Sequence, residues 1–343
     1  MRRRHRSFLA LLCLVTAVSS IGPATSQAAS PVRVKMATMA PDGSAWHKAL
    51  EQMGSEWRRA TDGVVELRIY PGGTAGDEAA VVRKMRIGQL DAAGITIVGL
   101  AEVDAAFDAF GIPMLFRSYE ELRAVLDEVE PYFEQKLSEK GFVLLNWANG
   151  GWAHLFSDEP IRTIDELKRA KLYVSAGDDD LVEWWKDNGF KPRALAPTDI
   201  LTGLETGMID AMVTTPLVAM SMQWFKRVPH MHHLPLGPLV GANVMTKRTW
   251  ESIEPAARQR LLAAAEESEK EIFDKIAADD QEAVELMKQR GLKVVESADE
   301  GEWRRQLERY AAEMRGELVP AEAYDRVTRA RDQVRRASDG SDS

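Results

Sequence analysis

A chain of 343 residues exceeds the roughly 100 to 200 residues of one ordinary domain, so two domains or one large discontinuous unit are expected. With 45% hydrophobic and 28% charged residues, it is too polar for a multi-span membrane protein and too apolar for disorder. A formal charge of -9 excludes the basic footprint that nucleic acid demands.

Met1 to Arg6 read MRRRHR and precede an apolar run from Phe8 to Val18. The run is short for a bilayer span, and Ser26-Gln27-Ala28 supplies a small-x-small pattern. Residues 1–28 are therefore expected to be a secretory signal peptide, cleaved after Ala28 or alternatively after Ala29. Cys13 sits behind Leu12, where a lipidation site wants a small residue, and reads as apolar filler. Cleavage removes Arg2, Arg3, Arg4 and Arg6 and no acid, so 44 cations become 40 against 53 acids, a charge of -13. The exported chain then has no cysteine, which excludes disulfides, thiol catalysis and cysteine-ligated metal.

Val32, Val34 and Met36 alternate with Arg33 and Lys35, predicting a strand over 32–38. Asp42 or Ser44 can cap the helix that follows, in which Trp46, Leu50, Met53 and Trp57 share one stripe. Val65, Leu67 and Ile69 predict a second strand. After the turn Pro71-Gly72-Gly73, a helix from Asp77 to Ile87 ends at Gly88, and Leu90 to Val98 reads as a strand covered on both faces. Ser118 with Glu121 and Thr163 with Glu166 form capping boxes for helices leading to strands at Phe142 to Trp147 and Lys171 to Val174. Strands at Pro192 to Leu195 and Asp210 to Thr214 flank a helix closing at Gly207, and Thr215-Pro216 reads as N-cap and N1 of the next. This alternation implies parallel sheets covered by helices, an α/β fold. Pro255 to Arg290 contains no Pro or Gly and predicts one helix on the order of 50 Å long, which must span more than one lobe or break. Residues 337–343 read as a disordered tail.

No GxSxG elbow, HExxH, Walker loop or GxGxxG occurs in the mature chain, so catalysis has no motif to rest on. Pro71 to Gly76 lacks the Lys-Ser/Thr end of a phosphate loop and reads as a tight turn. His230, His232 and His233 are crowded before Pro235, which suits a loop or strand edge better than zinc. Asp178 to Asp180 suit the start of a helix over Leu181 to Asn188 better than calcium. Aromatic residues gather where strands should end: Trp147 and Trp152 around Asn149-Gly150-Gly151, Tyr173, and Gln223-Trp224 late in a helix. Ligands of open α/β sheets collect at such ends.

With these residues in view, the chain resembles the DctP-like solute-binding proteins of tripartite ATP-independent periplasmic (TRAP) transporters over nearly its whole mature length. The resemblance rests on Met39-Ala40-Pro41 with Trp46, Ile69-Tyr70-Pro71-Gly72-Gly73 with Gly76 and Glu78, and Met85 to Asp91. Ile112 to Arg117, Leu204 to Asp210 and Pro216-Leu217 complete it in order and spacing. It implies a two-lobed periplasmic binding protein with a long helix across both lobes and a central cleft. Such a protein, not an enzyme and without cofactor, would hand a small molecule to TRAP permease subunits in the periplasm. Lobe I is expected over 29–150 plus about 239–272, and lobe II over 151–238 plus about 273–336. The resemblance puts the family's carboxylate-binding arginine at Tyr173, a second arginine in Gly151 to His154, and an asparagine at Thr215. Those departures resemble the branch that partners a periplasmic tetratricopeptide-repeat subunit, and they imply an apolar or amphipathic ligand. The contact set expected on this basis is Trp46, Thr96, Phe116, Asn149, Trp152, Tyr173, Thr215, Met220, Trp224 and Asn243, with no metal. Alternatives are an organic acid held by another cation, Arg117 and Arg86 being nearby, or a protein-interaction scaffold with no small ligand. A periplasmic enzyme would need an acid/base pair that the sequence does not show.

Overall fold

Alternation gives β1 (Val32–Thr38), with Val34 and Met36 fully buried and Arg33 exposed. The sequence offered two caps for α1 (Ala45–Ala60), and Ser44 takes the role by accepting from the His47 N–H, while Leu50, Met53 and Trp57 enter the core. β2 (Val65–Tyr70) follows. The Asp77 carboxylate opens α2 (Glu78–Arg86) by accepting from the Ala80 N–H, and Gly88 at φ 76 provides the left-handed stop. β3 (Ala92–Thr96) is shorter than predicted, because the Thr96 side chain accepts from the Val98 N–H and turns the apolar run into α3 (Ile97–Ala101). This computed structural model describes residues 31–177 and 179–341; the expected leader and Asp178 lie outside them.

Ser118 caps α4 (Tyr119–Glu139), but the Glu121 side chain does not close a box; it accepts from Arg335 Nη2 at 2.8 Å. β4 (Phe142–Ser157) runs ten residues past its expected end at Trp147. Asn149-Gly150-Gly151 reads as a junction, yet a register shift between Asn149 and Trp152 absorbs the irregularity as a bulge and pairing continues. α5 (Ile164–Arg169) has a complete capping box, with Thr163 Oγ1 accepting from the Glu166 N–H at 3.2 Å and Glu166 Oε2 from the Thr163 N–H at 3.1 Å. Thr163→Ala is expected to cost about 1 kcal/mol, read as a lower urea midpoint at unchanged m.

The chain continues through β5 (Lys171–Ser175), α6 (Asp179–Asp187), β6 (Lys191–Leu195), α7 (Ile200–Glu205), β7 (Ala211–Thr214) and α8 (Pro216–Ser221). Trp224 falls outside α8, in a separate 3-10 turn entered through Gln223 at φ 58. β8 (His230–His232), β9 (Gly237–Thr246), α9 (Lys247–Ser252), α10 (Pro255–Lys288), β10 (Lys293–Val295), α11 (Glu300–Glu313) and α12 (Ala321–Ser341) complete the order. α12 differs from the expected disordered tail: it continues to Ser341, since no proline stops it and Ser338 Oγ donates back to the Val334 carbonyl.

The sheet order is β2-β1-β3-β9-β4-β7-β5-β6. β1, β2 and β3 are mutually parallel, as are β5, β6 and β7. The expected all-parallel arrangement fails at the centre, where β9 and β4 are antiparallel to each other and β4 is antiparallel to β7. β4 and β9 are the two long strands shared by both halves. α10, 34 residues without a break, ties the halves together. Near its start the Leu261 and Ala265 carbonyls accept from Trp57 Nε1 and Asn146 Nδ2; towards its end the Asp280 carboxylate accepts from the Trp152 and Leu217 N–H groups.

Candidate ligand-binding cleft

Register fixes where the two halves meet. Thr96, the last residue of β3, pairs with Gly241, which pairs in turn with Ala148 of β4. On the other side Thr214, the last residue of β7, pairs with His154 of β4. The carboxyl ends of β3 and β7 therefore point towards each other across residues 149–153, the position where open α/β sheets take ligands. A Cβ added to Gly73, in the turn after β2, would stand 3.0 Å from Met39 Cε and 3.8 Å from Thr198 Cγ2, so a turn of each half is within contact reach.

Several of the expected residues converge at this junction. Trp46 lies over Gly241, where a Cβ would come within 3.0 Å of its ring, and its indole N–H is buried without a partner. Asn149 accepts from the Gly151 N–H at 3.0 Å while its own amide N–H group is buried and unpartnered. Asn243 donates to Asn146 Oδ1 at 2.9 Å and leaves its carbonyl oxygen unpartnered beside Gly94. Buried polar atoms are normally satisfied, so three unpaired ones in one region call for an explanation.

Thr96 leads to a residue that the sequence reading quoted only as part of a motif. Its N–H and hydroxyl donate to the two oxygens of Glu78 at 2.8 and 2.7 Å, and the Gly99 N–H adds a third bond at 2.8 Å. Burial raises the Glu78 pKa despite these bonds. An acid in the first turn of a helix ordinarily faces solvent; the glycine at 99, which leaves room for the carboxylate, was the available signal that this one does not. Glu78 also acts across the junction on Tyr173. Burial pushes the Tyr173 phenol up to about 12, with the Glu78 charge adding and the Ser175 hydroxyl opposing. The phenol is thus a neutral hydrogen-bond donor at pH 7. Thr215 is fully buried and its oxygen caps α8 by accepting from the Val218 N–H.

The remaining expected residues have other neighbours. Phe116 is buried in the core of the first half. Trp152 sits edge-on to Tyr119 at 5.1 Å and lines a cavity. Trp224 is buried in the apolar core with Phe156, Ile200 and Met287, and the half-buried Met220 packs against that core, as Tyr173 does. Of the two cations named as alternatives, Arg86 donates to the Glu102 carbonyl; on β5 and β6, Lys171 donates to the Gly207 carbonyl and Arg193 to the Pro192 carbonyl. Among the described residues no three His, Cys, Asp or Glu side chains converge as metal ligands. His230 and His233 bond the Asp158 carbonyl and Ser297, and burial holds His232 down at about 4.

Comparison with known proteins bears on the family and the fold. The model of the DctP family, "Bacterial extracellular solute-binding protein, family 7", matches residues 36–317. The 2,3-diketo-L-gulonate-binding periplasmic protein YiaO of Escherichia coli is 25% identical over 279 residues, covering 80% of this chain and 84% of that protein. Among solved structures, a TRAP periplasmic solute-binding protein of Xanthobacter autotrophicus with bound β-D-galacturonate superposes with TM-score 0.80 at 21% identity, covering 87% of this chain and 99% of the other. A Bordetella pertussis extracytoplasmic solute receptor binding pyroglutamic acid gives 0.80 at 19% identity, with 88% and 99% covered. These structures share the two-lobed α/β fold.

Proposed function

The chain belongs to family 7 of the bacterial extracellular solute-binding proteins and is a TRAP-type receptor, not an enzyme; on that premise we propose that its cleft holds an amphipathic solute by neutral hydrogen bonds. The observation that carries this reading is the pair of unspent donors at the junction, Trp46 Nε1 and Asn149 Nδ2, together with the neutral Tyr173 phenol. Each can meet a hydroxyl, carbonyl or ether oxygen of the ligand, while Asn243 Oδ1 is left to accept. Where the resemblance places an arginine there is a phenol, and the charge acting on that phenol is a carboxylate. A ligand anion would be desolvated on closure with no guanidinium to pair it, at a cost of several kcal/mol.

The lobe boundaries of this reading fall on β4 and β9, near residues 150 and 238, and within α10 near residue 272. The known ligands of the relatives, a diketo sugar acid, a hexuronate and a cyclic amino acid, favour a second reading: an organic acid taken by a cation that turns inward when ligand enters. A tetratricopeptide-repeat partner beside the permease is part of the first reading only, since it rests on the same missing arginine.

Native mass spectrometry of protein isolated from its own periplasm identifies the solute, and calorimetry with that solute tests the donors. Trp46→Phe is expected to weaken binding about tenfold, the worth of one buried hydrogen bond. If the solute proves to be a dicarboxylate or sugar acid whose affinity is unmoved by Trp46→Phe and Tyr173→Phe, the neutral-donor reading is wrong.

A further inference from the structure

A cavity of about 460 Å³ shares none of the converging residues described above, although Trp152 in its wall comes from the same stretch of β4. Its wall brings together Arg117, Arg304, Arg331 and Arg335 with a single carboxylate, Glu308. That excess of guanidinium is out of character for a chain of formal charge -9. Like charges gather in a concave site only where something offsets their repulsion, and the offsets present are partial. Arg335 is committed to Glu121 and the Leu115 carbonyl. Arg331 bonds Asp332 and Arg304 bonds Glu300, in each case a neighbour on its own helix. Arg117 has no hydrogen-bond or ion-pair partner among the described residues. Phe116 and Trp152 supply an apolar wall.

The cavity also draws on both halves of the molecule: Arg304 comes from α11, Arg331 and Arg335 from α12, Arg117 from the segment before α4, and Trp152 from the stretch of β4 between the halves. We propose that this cavity is an anion site for a small organic molecule bearing at least two carboxylate or phosphate groups. Its volume lies in the range of small-molecule sites, and guanidinium forks match both kinds of oxyanion. Arg117, from the segment before α4, and Arg304, from α11, supply the donors, and a flat or apolar portion of the ligand rests on Trp152. The site stands independently of the identity of the cleft solute.

The test uses citrate and inorganic pyrophosphate as probes at constant ionic strength, with binding read by calorimetry and by tryptophan fluorescence. Wild type is expected to bind at least one probe saturably with a dissociation constant below about 1 mM. Arg117→Ala with Arg304→Ala is expected to weaken that binding at least about tenfold, and Trp152→Phe to remove the fluorescence change. Trp46→Phe and Tyr173→Phe leave it intact, which separates this site from the cleft. Preference for citrate or pyrophosphate tells carboxylate from phosphate ligands. Both arginines make at most exposed intrahelical pairs, so the double variant is expected to keep the wild-type urea midpoint. Failure of wild type to bind either probe, or equal affinity in the folded double variant, overturns the proposal; so does loss of probe binding in the cleft variants.

Discussion

Asp280→Ala is expected to destabilise the protein by about 3 to 5 kcal/mol, because three donors converge on a carboxylate that is only 7% exposed. Asp280 accepts from the Trp152 N–H at 2.7 Å, the Tyr119 hydroxyl at 3.0 Å and the Leu217 N–H at 3.2 Å. Truncation strands all three, and each unsatisfied buried donor costs about 1 to 3 kcal/mol, with partial recovery where water can enter. The three donors belong to β4, to the start of α4 and to the first turn of α8, so this one side chain of α10 fixes the crossing strand to both helices. Gly151 is part of the same arrangement: at φ 102 it permits an approach that places an added Cβ 2.3 Å from Asp280 Oδ2. Asp280→Asn retains an acceptor and roughly the shape, and its loss is expected to be smaller. Urea unfolding of the three proteins checks the order; wild-type midpoints for Asp280→Ala would mean that the donors find water without penalty.

The contrast between legible and illegible parts of the chain follows from the range of the interactions involved. Ser44, Thr163 and Thr215 were readable as caps because capping joins residues two to four apart, and each caps its helix here. The TRAP-type two-lobed fold was readable because Met39 to Glu78 and Leu204 to Asp210 recur in a fixed order. The full extent of β4 was not, since its central irregular stretch is held by β9 almost ninety residues away and by Asp280 on α10. Side-chain direction was the weakest inference. Trp152 and Trp224 stand near strand and helix ends, as aromatic ligand contacts do, yet nothing local tells an aromatic lining the cleft from one packed behind it. Glu78 shows the reverse case: its role depends on Thr96 and Gly99, which come within reach only once α2 and α3 have packed.

Stability is expected to fall as pH rises from about 5 to 8, and Glu269→Gln to flatten that fall. Glu269 Oε2 accepts from the Trp147 N–H at 2.9 Å, while the Trp147 indole donates to Glu130. Burial raises the Glu269 carboxyl to about 7; the Trp147 bond opposes the rise, and the charges of Glu130 and Asp127 add to it. A carboxyl with a folded pKa above its unfolded value holds its proton where the unfolded chain has released it. Its contribution is therefore full below about 4.5 and is lost as pH climbs through about 7. At 1.36 kcal/mol per unit the upper bound is about 3 kcal/mol, reduced by the solvent that reaches this partly exposed side chain. Glu130, raised by its own burial, contributes with the same sign. General repulsion in an acidic chain produces a background of like sign, so the informative quantity is the difference between wild type and Glu269→Gln. Glutamine keeps an acceptor for the Trp147 N–H but cannot titrate. Unfolding free energies at pH 5, 6, 7 and 8 are expected to converge for the two proteins at the acid end and to separate in favour of the glutamine variant above pH 7. Parallel curves would show that Glu269 is ionised throughout, and that the strand leading to Asn149 is held by a solvated carboxylate.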